Sequence, residues 1–242
     1  MTPRPAQSWV RFVRERLELQ ALATIVGTGA AIFAFFTLSD EVGENGTAAF
    51  DRTILLLFRN PANPVDPIGS RSFEEAMRDV TALGGFTFLT LLTLIAAACL
   101  LFFHKGRQAI VFAVTVGLAE LSSDLLKGLY GRPRPDLVPH GSYVYSHSFP
   151  SGHSTLSAAT FLTLAAILSS LDRRRSFKGF VFTLAILLTV AVGVSRVYLG
   201  VHWPTDVLAG WTLGAAWALL ARLVLGLWRG ETPHAPAHKT SA

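Results

Sequence analysis

Residues 179–228 read GFVFTLAILLTVAVGVSRVYLGVHWPTDVLAGWTLGAAWALLARLVLGLW. Two apolar runs, 179–197 and 206–228, are each of the length that crosses a bilayer as a helix. Between and at the edges of those runs stand Arg196, His202 and Asp206. Ionisable groups beside a hydrocarbon core are costly, so such a cluster marks a functional site by default. The runs set the fold, and the groups that interrupt them set the chemistry.

Reading outward, four further apolar blocks occupy 19–38, 84–103, 108–126 and 154–171 of the 242 residues. Mean hydropathy is +0.44 and hydrophobic residues make up 51% of the chain, in blocks of spanning length rather than at soluble-protein spacing. The expected fold class is all-α: a polytopic membrane protein of six transmembrane helices. The block at 154–171 is short and rich in Ser, Thr and Ala, a composition suited to a helix packed among helices.

A pI near 9.8 would suggest nucleic acid in a soluble protein. Here topology accounts for the basic residues, and no nucleic-acid partner is expected. Arg4, Arg11, Arg14 and Arg16 precede the first span, and Lys105 and Arg107 fill the second link. Arg173, Arg174, Arg175 and Lys178 lie in the fourth, and Arg229 and Lys239 follow the sixth span. With six spans all these groups share one side, which the positive-inside rule makes cytoplasmic. Residues 1–242 then form one membrane-embedded domain. Its parts are a cytoplasmic N-terminus at 1–18, an outer-face loop at 39–83 and a polar cytoplasmic tail at 229–242. The chemistry-bearing clusters fall on the opposite, outer face, and the expected location is a bacterial inner membrane. The first span is longer than a signal-peptide core and reads as an uncleaved anchor.

The 39–83 loop holds two amphipathic stretches, 50–59 and 73–80, separated by Pro61, Pro64 and Pro67, which forbid a continuous helix. Two short helices at the membrane surface, covering the bundle, are expected there. In the third span Glu120, Asp124 and Lys127 share one helix face, which should turn toward the bundle interior, with Asp124 supporting Lys127 as its counter-ion. Gly210 and Gly214 form a small-xxx-small pattern for close helix packing. Cys99, the one cysteine, can form no internal disulfide.

Three polar clusters lie at span boundaries. In the first, Lys127 ends a span, and a Gly- and Pro-rich turn can bring Arg134 back beside it. A guanidinium fork and a compact ammonium are the usual pair for phosphate oxygens. The second, Pro150-Ser151-Gly152-His153, leads into the fourth span. Gly152 allows close backbone approach, free helix-N-terminal amides and the Ser151 hydroxyl point at an anion, and His153 can deliver a proton. In the third, His202 and Asp206 sit four residues apart at a helix start. Asp206 can then fix the imidazole through Nδ1, leaving Nε2 as nucleophile or base. His153, His202 and Asp206 could also ligate zinc, but Lys127, Arg134 and Arg196 would repel a cation and attract a phosphate. No metal and no cofactor are expected.

Lys127…Arg134-Pro135, Pro150-Ser151-Gly152-His153 and Ser195-Arg196…His202…Asp206 together resemble the three-part signature of the type 2 phosphatidic acid phosphatase family, whose helical core is shared with vanadium haloperoxidases. The resemblance runs from about residue 120 to 214. It implies that His202 takes the phosphoryl group as phosphohistidine, that Asp206 orients it, and that His153 protonates the departing oxygen, a role worth about 10²–10⁴ in rate. By the same resemblance Lys127, Arg134, Ser151, Gly152 and Arg196 cradle the phosphate. The partner is then a membrane lipid within the bilayer: an undecaprenyl diphosphate-type carrier first, with phosphatidate and phosphatidylglycerol phosphate next. A phosphotransferase that passes the phosphoryl group to another lipid would use the same residues. A transporter would instead need ionisable groups at several depths.

Overall fold

The computed structural model describes residues 5–142, 146–172 and 174–230, with side chains only between 18 and 227. The basic flank Arg4, Arg11, Arg14 and Arg16, Arg173, and the tail from Arg229 with Lys239 lie outside the described residues or side chains. In chain order the elements are α1 (Pro5–Gly43), α2 (Ala48–Leu56), β1 (Arg59–Asn60), β2 (Asn63–Pro67), α3 (Arg71–Ala82), α4 (Phe86–Phe102), α5 (Gly106–Tyr130), α6 (Gly152–Leu171), α7 (Arg175–Tyr198) and α8 (Pro204–Gly230). Among the described residues five helices, α1 and α5 to α8, are long and apolar enough to cross a membrane. A sixth span arises from α3 and α4 taken as one element bent by 47°. The protein is an integral membrane protein.

Helix α6 is the centre of the bundle, packed by α5, α7 and α8, while α1 lies against α8. In α6 61% of the apolar window is buried, against 17% in α1. The helix richest in Ser, Thr and Ala is therefore the one most enclosed by the others. Lipid is as apolar as leucine, so interior position is decided by how closely a backbone can be approached rather than by hydrophobicity. Gly210 and Gly214 of α8 show this directly. A Cβ at Gly214 would stand 2.4 Å from the Thr155 carbonyl oxygen, and one at Gly210 2.7 Å from that of Ser151.

Between α2 and α3 the chain departs from an all-helical plan. Strands β1 and β2 pair antiparallel. Side-chain oxygens of Asn60 and Asn63 accept from the amides of Ala62 and Val65 at 3.0 and 3.3 Å, closing the turn. Pro64 and Pro67 fit an edge strand, where no ladder donor is needed. Ser70 then caps α3, accepting from the Phe73 amide. Helix α3 packs on α7 and α2 on α8. Both therefore brace the end of the bundle where α5 and α7 finish and α6 and α8 begin.

Candidate active site

Four helix termini build the site. Helix α5 stops at Gly131, in the left-handed region at φ +56°, and its amide donates to the Lys127 carbonyl at 3.1 Å. Lys127 thus lies one turn from the end. Its Nζ pairs with Asp124 Oδ1 at 3.1 Å. The expected inward face of α5 is realised only in part. The Asp124 side chain is 60% exposed, while that of Lys127 is 14% exposed and Glu120 is half-buried. The short carboxylate stays on the rim, and the longer lysine stem carries its charge inward. It lands over Gly152, where a Cβ would come within 2.9 Å of Nζ. Glycine at that position makes the approach possible.

Ser151 is the N-cap of α6 and is fully buried, its Oγ accepting from the Ser154 amide and hydroxyl. The amides of Gly152 and His153 open the helix and have no intrahelical acceptor. The His153 ring is turned toward the α3–α4 turn, with Nε2 about 4.0 Å from where a Gly85 Cβ would sit. It lies within electrostatic reach of Arg196, His202, Lys127 and Arg134.

The α7–α8 link is closed by a Schellman turn. The Val201 amide donates to the Arg196 carbonyl, the Gly200 amide to that of Val197, and Gly200 takes φ +71°. This reversal brings Arg196 within electrostatic reach of His202 although five residues separate them. Arg196 is 3% exposed; Nη1 donates to Thr81 Oγ1 at 3.0 Å, and Nε has no partner among the described residues. His202 is 2% exposed. Burial, then the charges of Arg196, Arg134 and Lys127, hold its imidazole well below the ordinary histidine range, so it is neutral at neutral pH. Nε2 lies 3.2 Å from Arg134 Nη1, which also donates to the Val201 carbonyl at 2.7 Å. A guanidinium can only donate, so Nε2 is an acceptor there and the ring proton sits on Nδ1. Nδ1 is 3.4 Å from Asp206 Oδ2, close enough for attraction but with no aligned hydrogen bond.

Asp206 is fully buried and anchored from three directions. Oδ2 accepts from the Trp203 amide at 2.8 Å, the return half of a capping box at the start of α8, and from the Ser148 hydroxyl. Oδ1 accepts from Arg132 Nη1 at 2.6 Å. Arg132 in turn donates from Nη2 to Asp51 Oδ2 at 2.7 Å, and Asp51 receives the Thr205 amide and hydroxyl at 2.9 and 2.7 Å. Sequence reading missed Arg132, Asp51, Ser148, Thr205 and Thr81. Arg132 was visible two residues before Arg134, and Asp51 was a lone acid beside an apolar run. Nothing in the sequence, however, placed Asp51 next to α8. The two short helices expected only to cover the bundle therefore also reach the site, α2 through Asp51 and α3 through Thr81.

His153, His202 and Asp206 do not come together as a group able to hold a metal ion, and among the described residues no such cluster of three occurs. The groups that do converge are a neutral imidazole, three cations and a helix N-terminus, an arrangement that favours a phosphate dianion. On a bundle of spanning helices, that site defines the class as a polytopic membrane phosphatase.

The PAP2 superfamily pattern matches residues 108–229. Phosphatidylglycerophosphatase B of Bacillus subtilis is 35% identical over 191 residues, 76% of this chain and 88% of its own. An undecaprenyl-diphosphatase of Sulfolobus acidocaldarius is 34% identical over 49% of this chain and 56% of its own. The crystal structure of the transmembrane PAP2-type phosphatidylglycerolphosphate phosphatase from Bacillus subtilis superposes with a TM-score of 0.73 at 30% identity. It covers 86% of this chain and 98% of that one. The chain belongs to the PAP2 superfamily and is a membrane lipid phosphatase.

Proposed function

We propose that this protein hydrolyses the terminal phosphate of a phospholipid headgroup through a phosphohistidine on His202. The observation that carries the reading is the state of His202: buried and neutral, with Nδ1 toward Asp206 and Nε2 toward Arg134. The Nε2 lone pair attacks phosphorus, the bond to the lipid oxygen breaks, and His153 gives that oxygen a proton. Lys127, Arg134, Arg196, the Ser151 hydroxyl and the Gly152 amide hold the equatorial oxygens, where positioning and charge do the catalytic work. Asp206 balances the imidazolium that forms, and its fixed seat keeps the ring in register. Water, deprotonated by His153 acting in reverse, releases phosphate. A bound phosphate dianion supplies the negative charge that lets His153 carry its proton among the surrounding cations.

Phosphatidylglycerol phosphate takes first place among substrates, ahead of the undecaprenyl diphosphate favoured by sequence alone. The relatives that match over most of both chains carry the former name. An isoprenyl diphosphate is the second reading, supported by the half-length match to an undecaprenyl-diphosphatase. The basic links at the opposite end of the bundle support an outer-face site in a bacterial inner membrane. Rapid-quench of solubilised protein with ³²P-labelled phosphatidylglycerol phosphate should trap an acid-labile, alkali-stable label. The same label in His202→Ala would sink the nucleophile assignment. Release from undecaprenyl diphosphate at a higher kcat/KM would reverse the substrate order, and label passed to a second lipid in place of free phosphate would make it a transferase.

A further inference from the structure

Ser148 lies fully buried three residues before Ser151, outside the motif clusters. Its amide donates to the Arg132 carbonyl at 2.9 Å, its backbone faces the His202 ring, and its hydroxyl donates to Asp206 Oδ2. That last bond falls on the carboxylate oxygen paired with the imidazole. Each carboxylate oxygen offers about two lone-pair sites. On Oδ2 both are taken, one by the Ser148 hydroxyl and one by the Trp203 amide at 2.8 Å. Oδ1 is held by Arg132 at 2.6 Å. His202 Nδ1 stands 3.4 Å from Oδ2 and has no aligned partner among the described residues. The lone pair that a His202–Asp206 hydrogen bond would use is therefore occupied.

The donors on Asp206 differ in how readily they yield. The Trp203 amide is fixed by the backbone at the start of α8. Arg132 is bound in turn to Asp51 at 2.7 Å and to the Thr205 hydroxyl at 2.9 Å. Only the Ser148 proton can swing away, by rotation about its own C–O bond. The hydroxyl is also neutral. An imidazolium N–H brings its charge to a buried carboxylate and makes the stronger bond, an advantage that a neutral imidazole lacks.

We infer that Ser148 is a positioning residue for the nucleophile: its hydroxyl keeps Asp206 Oδ2 from the neutral His202 ring and cedes that oxygen to Nδ1–H once the ring is positively charged. The inference rests on the reading of His202 as nucleophile, since phosphoryl transfer to Nε2 is what charges the ring. The Nδ1–Oδ2 bond then strengthens on the way to the transition state instead of being spent in the free enzyme. Interactions of that kind speed the chemical step.

The ring is faced by Lys127 from α5, His153 from α6, Arg134 from the 131–151 segment, Arg196 from α7 and Asp206 from α8. Ser148→Ala leaves each of them in place and frees one site on Oδ2. Nδ1–H can then bond Asp206 in the free enzyme, so the acid limb of kcat/KM should rise by about one pH unit, the scale of a charged hydrogen bond gained.

Proton NMR of the detergent-solubilised full chain reads the same exchange without turnover. The His202 Nδ1 proton, assigned by its loss in His202→Gln, should resonate in the ordinary imidazole range in the unmodified protein at neutral pH. In Ser148→Ala it should move downfield, where it meets a carboxylate. An unmoved resonance in Ser148→Ala would show that the Ser148 backbone, not Asp206, keeps that proton, and overturns the inference. A far-downfield resonance already present in the unmodified protein overturns it too, and that measurement needs no variant to fold. The resonance reports the hydrogen bond whether or not His202 attacks, so the two readings fail separately.

Discussion

The two halves of the chain contribute to the site in different kinds. The half from α5 to α8 supplies every group proposed to act on the phosphate, Lys127, Arg134, the start of α6, Arg196 and His202, together with Asp206 behind the imidazole. The half from α1 to α4 supplies groups that hold those groups. Asp51 steadies Arg132 and Thr205, and Thr81 accepts a hydrogen bond from Arg196. Attack and charge stabilisation need particular atoms at helix ends, which a short motif can specify. Holding needs only an acceptor at the right distance, and any segment that passes close by can offer one. Two helices joined by a hairpin are enough to bring such acceptors in.

The largest effect that would sharpen this division is at His202. Phosphate release by His202→Ala should fall by roughly 10⁴–10⁶, the scale seen when a nucleophile is removed. A fall of tenfold would break the comparison by making His202 another support. Asp51→Asn comes next. Weakening charged hydrogen bonds worth about 1.5–3 kcal/mol predicts a loss of roughly 10–150-fold. The loss should appear in kcat with KM little changed, since Asp51 does not touch the phosphate; the reverse split would put it in the binding site.

The third effect is on pH. The folded protein holds His202 below its ordinary value near 6.5, so between the two values the unfolded chain binds the extra proton. Stability linked to His202 therefore falls as pH drops below about 6.5 toward the folded value. The acid limb of kcat/KM, which reports the free enzyme, should likewise lie below that value. Arg196→Gln removes one of the charges that lower it, and the limb should move up. An unmoved limb would show that Arg196 acts by contact alone. The smallest effect is Asp124→Asn. The carboxylate is 60% exposed, and such pairs contribute about 0–1 kcal/mol, so activity should stay within about fivefold. A larger loss, measured in the same release assay, would return Asp124 to the working parts.

The spans were legible because lipid imposes a length, and the family because three motifs sit at their ends. Helix α6 could even be read as interior from its Ser, Thr and Ala content. The Asp51–Arg132–Asp206 chain was not legible. Its acid and its guanidinium are 81 residues apart and their meeting depends on α2 docking against α8, a contact for which periodicity has no signal. The hairpin was hidden for a related reason: prolines announce the end of a helix but not the side-chain turns of Asn60 and Asn63 that shape the next segment. Asp124 pairs with Lys127 as read, but from the rim, because a shared helix face does not settle which member of a pair reaches inward.

The contact between Arg134 Nη1 and His202 Nε2 also bears on how the imidazole would be guarded. The lone pair proposed to attack phosphorus lies under an N–H of Arg134. On the proposed mechanism, a phosphate that drew that N–H onto its own oxygen would bare the nitrogen in the same movement. The proposed nucleophile would thereby be latched, with the group it attacks as the key. An electrophile lacking anionic oxygens, such as diethyl pyrocarbonate, should label His202 faster in Arg134→Ala than in the unmodified protein.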